Sequence, residues 1–112
     1  MGLIKESDKI KFVDDRLKKD WIKVKTEEPE LAKHLEQAKE NLKENAFCGI
    51  QIPKDLIPKE YITKYNINNL WKYNLPNAWR LLYTITTPSK IEIITVVLDW
   101  LPHKKYNRLF RY

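Results

Sequence analysis

Six residues in the second half of the chain have the chemistry to act on a phosphate: Lys72, Arg80, His103, Lys104, Lys105 and Tyr106. Cations fixed around a phosphate stabilise the charge that builds on its oxygens in a pentacoordinate transition state. A Lys, His or Tyr beside them can take the proton of an attacking 2′-hydroxyl and return one to the leaving 5′-oxygen. That chemistry needs no metal. His34, Cys48 and His103 are the only soft or nitrogen ligands, and they lack metal-ligand spacing. The expectation is therefore no metal and no small-molecule cofactor. Asn74, Arg108 and Arg111 join Lys72, Arg80, Lys104 and Lys105 as candidate RNA contacts.

The charge pattern points the same way. The chain has 112 residues and a net charge of +6. Residues 1–56 carry 12 Lys+Arg and 12 Asp+Glu, so they are neutral. Residues 57–112 carry nine Lys+Arg against Glu60, Glu92 and Asp99, so the whole excess lies there. Segregated positive charge among aromatics is the electrostatic footprint of a nucleic-acid binder. A basic surface for solubility or for an acidic protein is the competing explanation.

Other classes fall away on composition. This length suits one domain, 1–112. A single cysteine excludes a disulfide scaffold and suits a reducing compartment. There is no apolar run long enough for a membrane span and no secretory leader, so the chain reads as a cytoplasmic globular domain.

The elements that must position the six residues follow from periodicity. Residues 1–8 are polar and read as a frayed end. Lys9 to Val13 alternates like a strand. Asp14 stands where an N-cap belongs, before Leu17, Trp21 and Val24 on one helical face. Pro29 suits the first turn of a second helix, whose stripe Leu31, Leu35, Ala38 and Leu42 continues to about Ala46. Its solvated face sets Glu36 before Lys39 and Glu40 before Lys43 as opposite-charge i, i+3 pairs. Cys48, read as a small buried hydrophobe, and Gly49 end that helix. Residues 49–69, punctuated by Pro53 and Pro58, read as an ordered loop with one helical turn near 59–64.

The final third predicts three strands, 70–75, 79–85 and 91–100, with turns at 76–78 and 87–90. Pro102 stops the last strand before a short basic helix or tail. With a three-residue loop, Leu75 faces Trp79, Tyr73 faces Leu81 and Trp71 faces Tyr83, making an apolar wall for the two helices. The opposite face carries Lys72, Asn74, Arg80, Leu82 and Thr84, so Lys72 and Arg80 are diagonal neighbours. The tail starts beside the second of these strands and can bring His103 to Tyr106 to that face. Bland alternatives stand beside each assignment. Arg80 could pair with Asp99, His103 could be a surface histidine, and Tyr106, Leu109 and Phe110 could simply dock the tail.

An α+β order of strand, two-helix hairpin, antiparallel meander and basic tail resembles the RelE/ParE toxin superfamily of bacterial and archaeal toxin–antitoxin systems. The matching residues are Lys11 to Trp21, Leu70 to Tyr73, Trp79-Arg80-Leu81-Leu82-Tyr83, Ile93 to Val97 and His103 to Tyr106, within residues 9–112. The resemblance implies a metal-independent, ribosome-dependent mRNA endoribonuclease that arrests growth by inhibiting translation, with a cognate antitoxin as partner. By the same resemblance Arg80 matches the strand arginine that stabilises phosphate charge, and Lys72 a basic residue of the preceding strand. Lys104 or Lys105 stands for a second basic residue, and Tyr106 or His103 for a proton-transfer or stacking residue. Asn74 departs from the family where a second strand lysine can occur, no arginine directly follows the last strand, and 49–69 is an insertion. A gyrase inhibitor of the ParE branch, or a non-catalytic RNA- or protein-binding module on this fold, are the alternatives.

Overall fold

A computed structural model describes residues 9–89 and 92–110. The expected frayed residues 1–8 and the candidate RNA contact Arg111 lie outside them. The elements run β1 (Lys9–Phe12), α1 (Asp15–Glu27), α2 (Pro29–Glu44), β2 (Ile50–Gln51), α3 (Lys59–Tyr65), β3 (Trp71–Leu75), β4 (Trp79–Ser89), β5 (Glu92–Pro102) and α4 (His103–Phe110). Short 3-10 turns occupy Lys54–Leu56 and Pro76–Ala78. The protein is α+β, with four helices and five strands among the described residues.

The helix starts obey local chemistry. Asp14 caps α1, its carboxylate accepting from the Leu17 N–H at 2.8 Å. Pro29 opens α2, where its missing N–H costs nothing. Both predicted i, i+3 ion pairs form, Lys39 with Glu36 at 3.5 Å and Lys43 with Glu40 at 3.7 Å. Their side chains are between about one-third and three-fifths exposed, and such surface pairs contribute little.

The sheet order is β1-β5-β4-β3-β2. It is mixed rather than wholly antiparallel, because β1 lies parallel to β5 at the far edge. The β3–β4 register is the expected one: Trp71 opposite Tyr83, Tyr73 opposite Leu81, and Leu75 opposite Trp79. These side chains meet Leu17, Trp21, Leu35 and Leu42 of α1 and α2 in one core. The Trp21 indole N–H reaches Glu36 at 3.0 Å, which ties α1 to α2.

The second face of the sheet departs from expectation. Residues 49–69 are more than a loop: they supply β2 at the sheet edge, a 3-10 turn and α3. Ile52, Ile57 and Tyr61 pack with Leu70, Leu82, Leu98 and Tyr106 in a second core. The sheet is thus covered on both faces, by α1–α2 on one side and by α3 and α4 on the other. Prolines punctuate regular structure here without abolishing it, because Ile and Tyr still find apolar surface to bury.

The turn after α2 corrects one assignment. α2 ends at Glu44, before Ala46, and Cys48 is exposed rather than buried. The chain leaves the helix to reach Tyr83, whose hydroxyl donates to the Ala46 carbonyl and accepts from the Gly49 N–H, each at 3.1 Å. That anchoring points residues 47 and 48 outward.

The β3–β4 loop holds a strained residue. Asn77 and Ala78 both have left-handed backbones, at φ 61° and 63°. Asn tolerates this region, whereas the Cβ of alanine is disfavoured there. Ala78→Gly is expected to raise stability by roughly 0.5–1 kcal/mol in urea unfolding. An unchanged or lower unfolding midpoint would argue against strain at this position.

Candidate functional site

Antiparallel pairing sets Lys72 opposite Leu82 and Asn74 opposite Arg80. The Lys72 and Arg80 side chains therefore point from neighbouring strands toward the face that α4 covers. β5 ends at Pro102, opposite Trp79, so α4 begins next to Arg80. One turn into α4 the Tyr106 ring is buried at 3% exposure. Lys72 Nζ lies 5.3 Å from its centroid and Arg80 Cζ 5.7 Å, which places two cations against one aromatic ring. Phe110 packs behind Tyr106 at 4.6 Å between centroids.

Arg80 is not spent on Asp99. Its Nη1 donates to the Trp79 carbonyl at 3.1 Å, and its buried Nε has no hydrogen-bond partner among the described residues. Asp99 accepts from the Trp100 N–H at 2.9 Å instead, with Arg16 and Lys105 as its charged neighbours. Asp99 stands opposite Leu82 and Arg80 opposite Leu101, with one pair between them and on the same face. A bulge follows, because Tyr83 is opposite Val97 and Leu98 is extra, so the strand twists there.

The other expected site residues divide between two places. His103 is exposed at the start of α4, with the Asn107 amide 2.9 Å from its Nε2. With that amide donating, the ring proton sits on Nδ1. His103 and Tyr106, three residues apart, share a side of α4. Asn74 is exposed beside Arg80. Lys104 is exposed on α4. Lys105 and Arg108 lie elsewhere, lining a cavity of about 480 Å³ between α4 and α3 with Tyr61, Lys64, Tyr65 and Asp99. The α3 residues were missed as site candidates, although the i, i+4 spacing of Tyr61 and Tyr65 was a usable signal. A hollow of similar volume beside Asn66, Asn68 and Thr86 lies on the other side of Tyr65, which lines both. The Asn69 side chain there is committed to the backbone N–H and carbonyl of Ile85.

Burial raises the Asp99 pKa, and the Trp100 N–H, Arg16 and Lys105 only partly offset it, while Asp20 adds to the rise. The folded state then binds this proton more tightly than the unfolded chain. The ionised carboxylate costs stability at neutral pH, and the cost vanishes as pH falls through the folded pKa toward the unfolded value of about 3.9. Asp99→Asn is expected to melt above the wild type at pH 7, with the gap closing at about pH 3. A variant that melts lower at pH 7 would contradict this sign.

Compared with family models, curated proteins and solved structures, the chain has no significant match. No helix among the described residues is long and apolar enough to cross a membrane.

Proposed function

We propose that the protein is a RelE-type toxin of a type II toxin–antitoxin system, an endoribonuclease that cleaves mRNA on the ribosome. The observation that carries this reading is the pair Lys72 and Arg80 converging on the Tyr106 ring, with Arg80 Nε unpartnered and no carboxylate paired with the guanidinium among the described residues. The element order and the strand–helix–helix–meander–tail arrangement support the fold assignment.

In this mechanism the 2′-oxygen of one nucleotide attacks the adjacent phosphorus. The O2′–P bond forms and the P–O5′ bond breaks, leaving a 2′,3′-cyclic phosphate and a 5′-hydroxyl. Arg80 and Lys72 hold the non-bridging oxygens as their charge grows. A base at the site accepts the 2′-hydroxyl proton, and an acid returns one to the 5′-oxygen. His103 at the edge of α4 and Tyr106 are the candidates for these transfers, with Lys72 as a further candidate base. Asn74 and Lys104 extend the RNA contact along the strand, and Lys105 and Arg108 extend it on the other side of α4. A cognate antitoxin would occupy the basic surface and shut the site.

Expression in a sensitive host tests the reading. Growth arrest with mRNA cuts inside codons is the expected outcome. Arrest with DNA damage and intact mRNA would instead assign the chain to gyrase inhibition, and no arrest would leave a binding module.

A further inference from the structure

The groove between α3 and α4 has features that the cleavage site does not use. Its cavity, of about 480 Å³, is within the range of small-ligand sites. Tyr65 forms a half-buried wall, set edge-on to buried Tyr61 with centroids 5.4 Å apart. Lys64 lies over the Tyr65 ring at 5.2 Å. Lys105 and Arg108 come from α4, and the Asp99 carboxylate from β5 completes the lining, with exposed Glu60 at the rim.

We propose that this groove is a guanine subsite for single-stranded RNA, with Asp99 accepting from the N1–H and N2–H₂ edge, Tyr65 stacking on the base, and Lys64, Lys105 and Arg108 meeting the flanking phosphate. The proposal rests on the RNA-cleaving reading and gives that activity a base preference.

The chemistry selects among bases. A carboxylate offers about four acceptor lone pairs, and the Trp100 N–H takes one. Guanine presents two adjacent donors to the remainder. Adenine sets an acceptor beside its donor, and uracil flanks its single donor with two acceptors, so each brings a lone pair against Asp99. Three cations at the groove repel a basic peptide and suit a phosphodiester. Aromatic walls serve unpaired bases, which expose both their faces and their pairing edges.

Position links the two sites. One eight-residue helix presents Tyr106 to Lys72 and Arg80 and presents Lys105 and Arg108 to the groove. A strand whose scissile phosphate sits on Arg80 can therefore pass over α4 and place a neighbouring base against Tyr65.

The test is titration of guanosine, adenosine and uridine 5′-monophosphates into the full chain, read by backbone amide NMR shifts. Guanosine monophosphate is expected to shift residues 60–65 and 99–109 and to bind about tenfold or more tightly than the other two. Asp99→Asn keeps an oxygen for the Trp100 N–H and should erase that preference. Tyr65→Ala should weaken binding about tenfold. Arg80→Ala should leave guanosine monophosphate affinity within about twofold, since Arg80 lies outside the groove. Equal affinity for the three nucleotides, no saturation in the millimolar range, or loss of binding in Arg80→Ala would each overturn the proposal. Failure of the cleavage reading shows separately, as uncut mRNA in a translating system with guanosine monophosphate binding intact.

Discussion

Arg80→Ala is expected to lower mRNA cleavage by about 100- to 1,000-fold, the usual loss when one preorganised donor to a transition-state oxyanion is removed. The prediction follows from where β4 puts the side chain. Arg80 faces α4, its backbone is locked by pairing to Asn74 on one side and Leu101 on the other, and its Nε has no hydrogen-bond partner among the described residues. A structural arginine in that position would be paired with Asp99, which instead accepts from Trp100. Arg80→Lys should recover only part of the activity, because an ammonium keeps the charge and loses the planar fork that can hold two phosphate oxygens. Thermal melting separates chemistry from folding. The alanine variant should melt within a few degrees of the wild type, since Arg80 makes one hydrogen bond to its neighbour's carbonyl and no ion pair among the described residues. Undiminished cleavage by Arg80→Ala would remove this residue from the mechanism.

Gly49→Ala is expected to destabilise the fold by about 3 kcal/mol, from overpacking and from disrupted buried hydrogen bonds together. No positive φ is involved among the glycines described, so the demand for glycine is one of space. A Cβ at position 49 would run into the Tyr83 hydroxyl and the Lys72 carbonyl. Neither can retreat. Tyr83 is fully buried, its ring stacked on Trp71 at 6.1 Å, and the Lys72 backbone is paired to both Ile50 and Leu82. Burial also raises the Tyr83 pKa, so the hydroxyl stays neutral and keeps both its bonds, to Ala46 and Gly49. The collision pushes on the segment that carries Lys72, so the variant should lose activity as well as stability. Urea unfolding measures the loss, and a change under about 1 kcal/mol would show that the turn yields easily. Tyr83→Phe should cost less, about 1–2 kcal/mol, because it removes the hydroxyl without adding bulk.

These two residues show what was legible in the sequence. The β3–β4 register, and with it the shared face of Lys72 and Arg80, followed from a three-residue loop and the period-two alternation of strands. The Asp14 cap, the Pro29 start and the i, i+3 pairs of α2 are also local, and they were read correctly. What escaped was non-local. Gly49 matters through Tyr83, 34 positions later. The 49–69 segment looked like a loop because its prolines interrupt every periodic window, yet its Ile and Tyr residues build the second core. The cluster at the site was legible in part. Tyr106 meets Lys72 and Arg80 as the strand parity and tail position suggested. Lys105 and Arg108 turn toward α3, because the phase of a short basic tail depends on which residue docks, and Tyr106 docks. The bulge at Leu98 was equally invisible, since a single inserted residue leaves the apolar run unbroken while shifting the register of everything before it in β5.

The most direct measurement is to translate a defined mRNA in a purified system with the protein added, and to identify the ends of any fragments. Cuts within codons are predicted, leaving a 2′,3′-cyclic phosphate and a 5′-hydroxyl, about 100- to 1,000-fold slower with Arg80→Ala and absent when the nucleotide 5′ of the cut is 2′-deoxy. Cleavage that survives the 2′-deoxy substitution, or mRNA that stays intact while ribosomes translate it, would contradict the assignment of Lys72, Arg80 and Tyr106 to an RNA-cutting site.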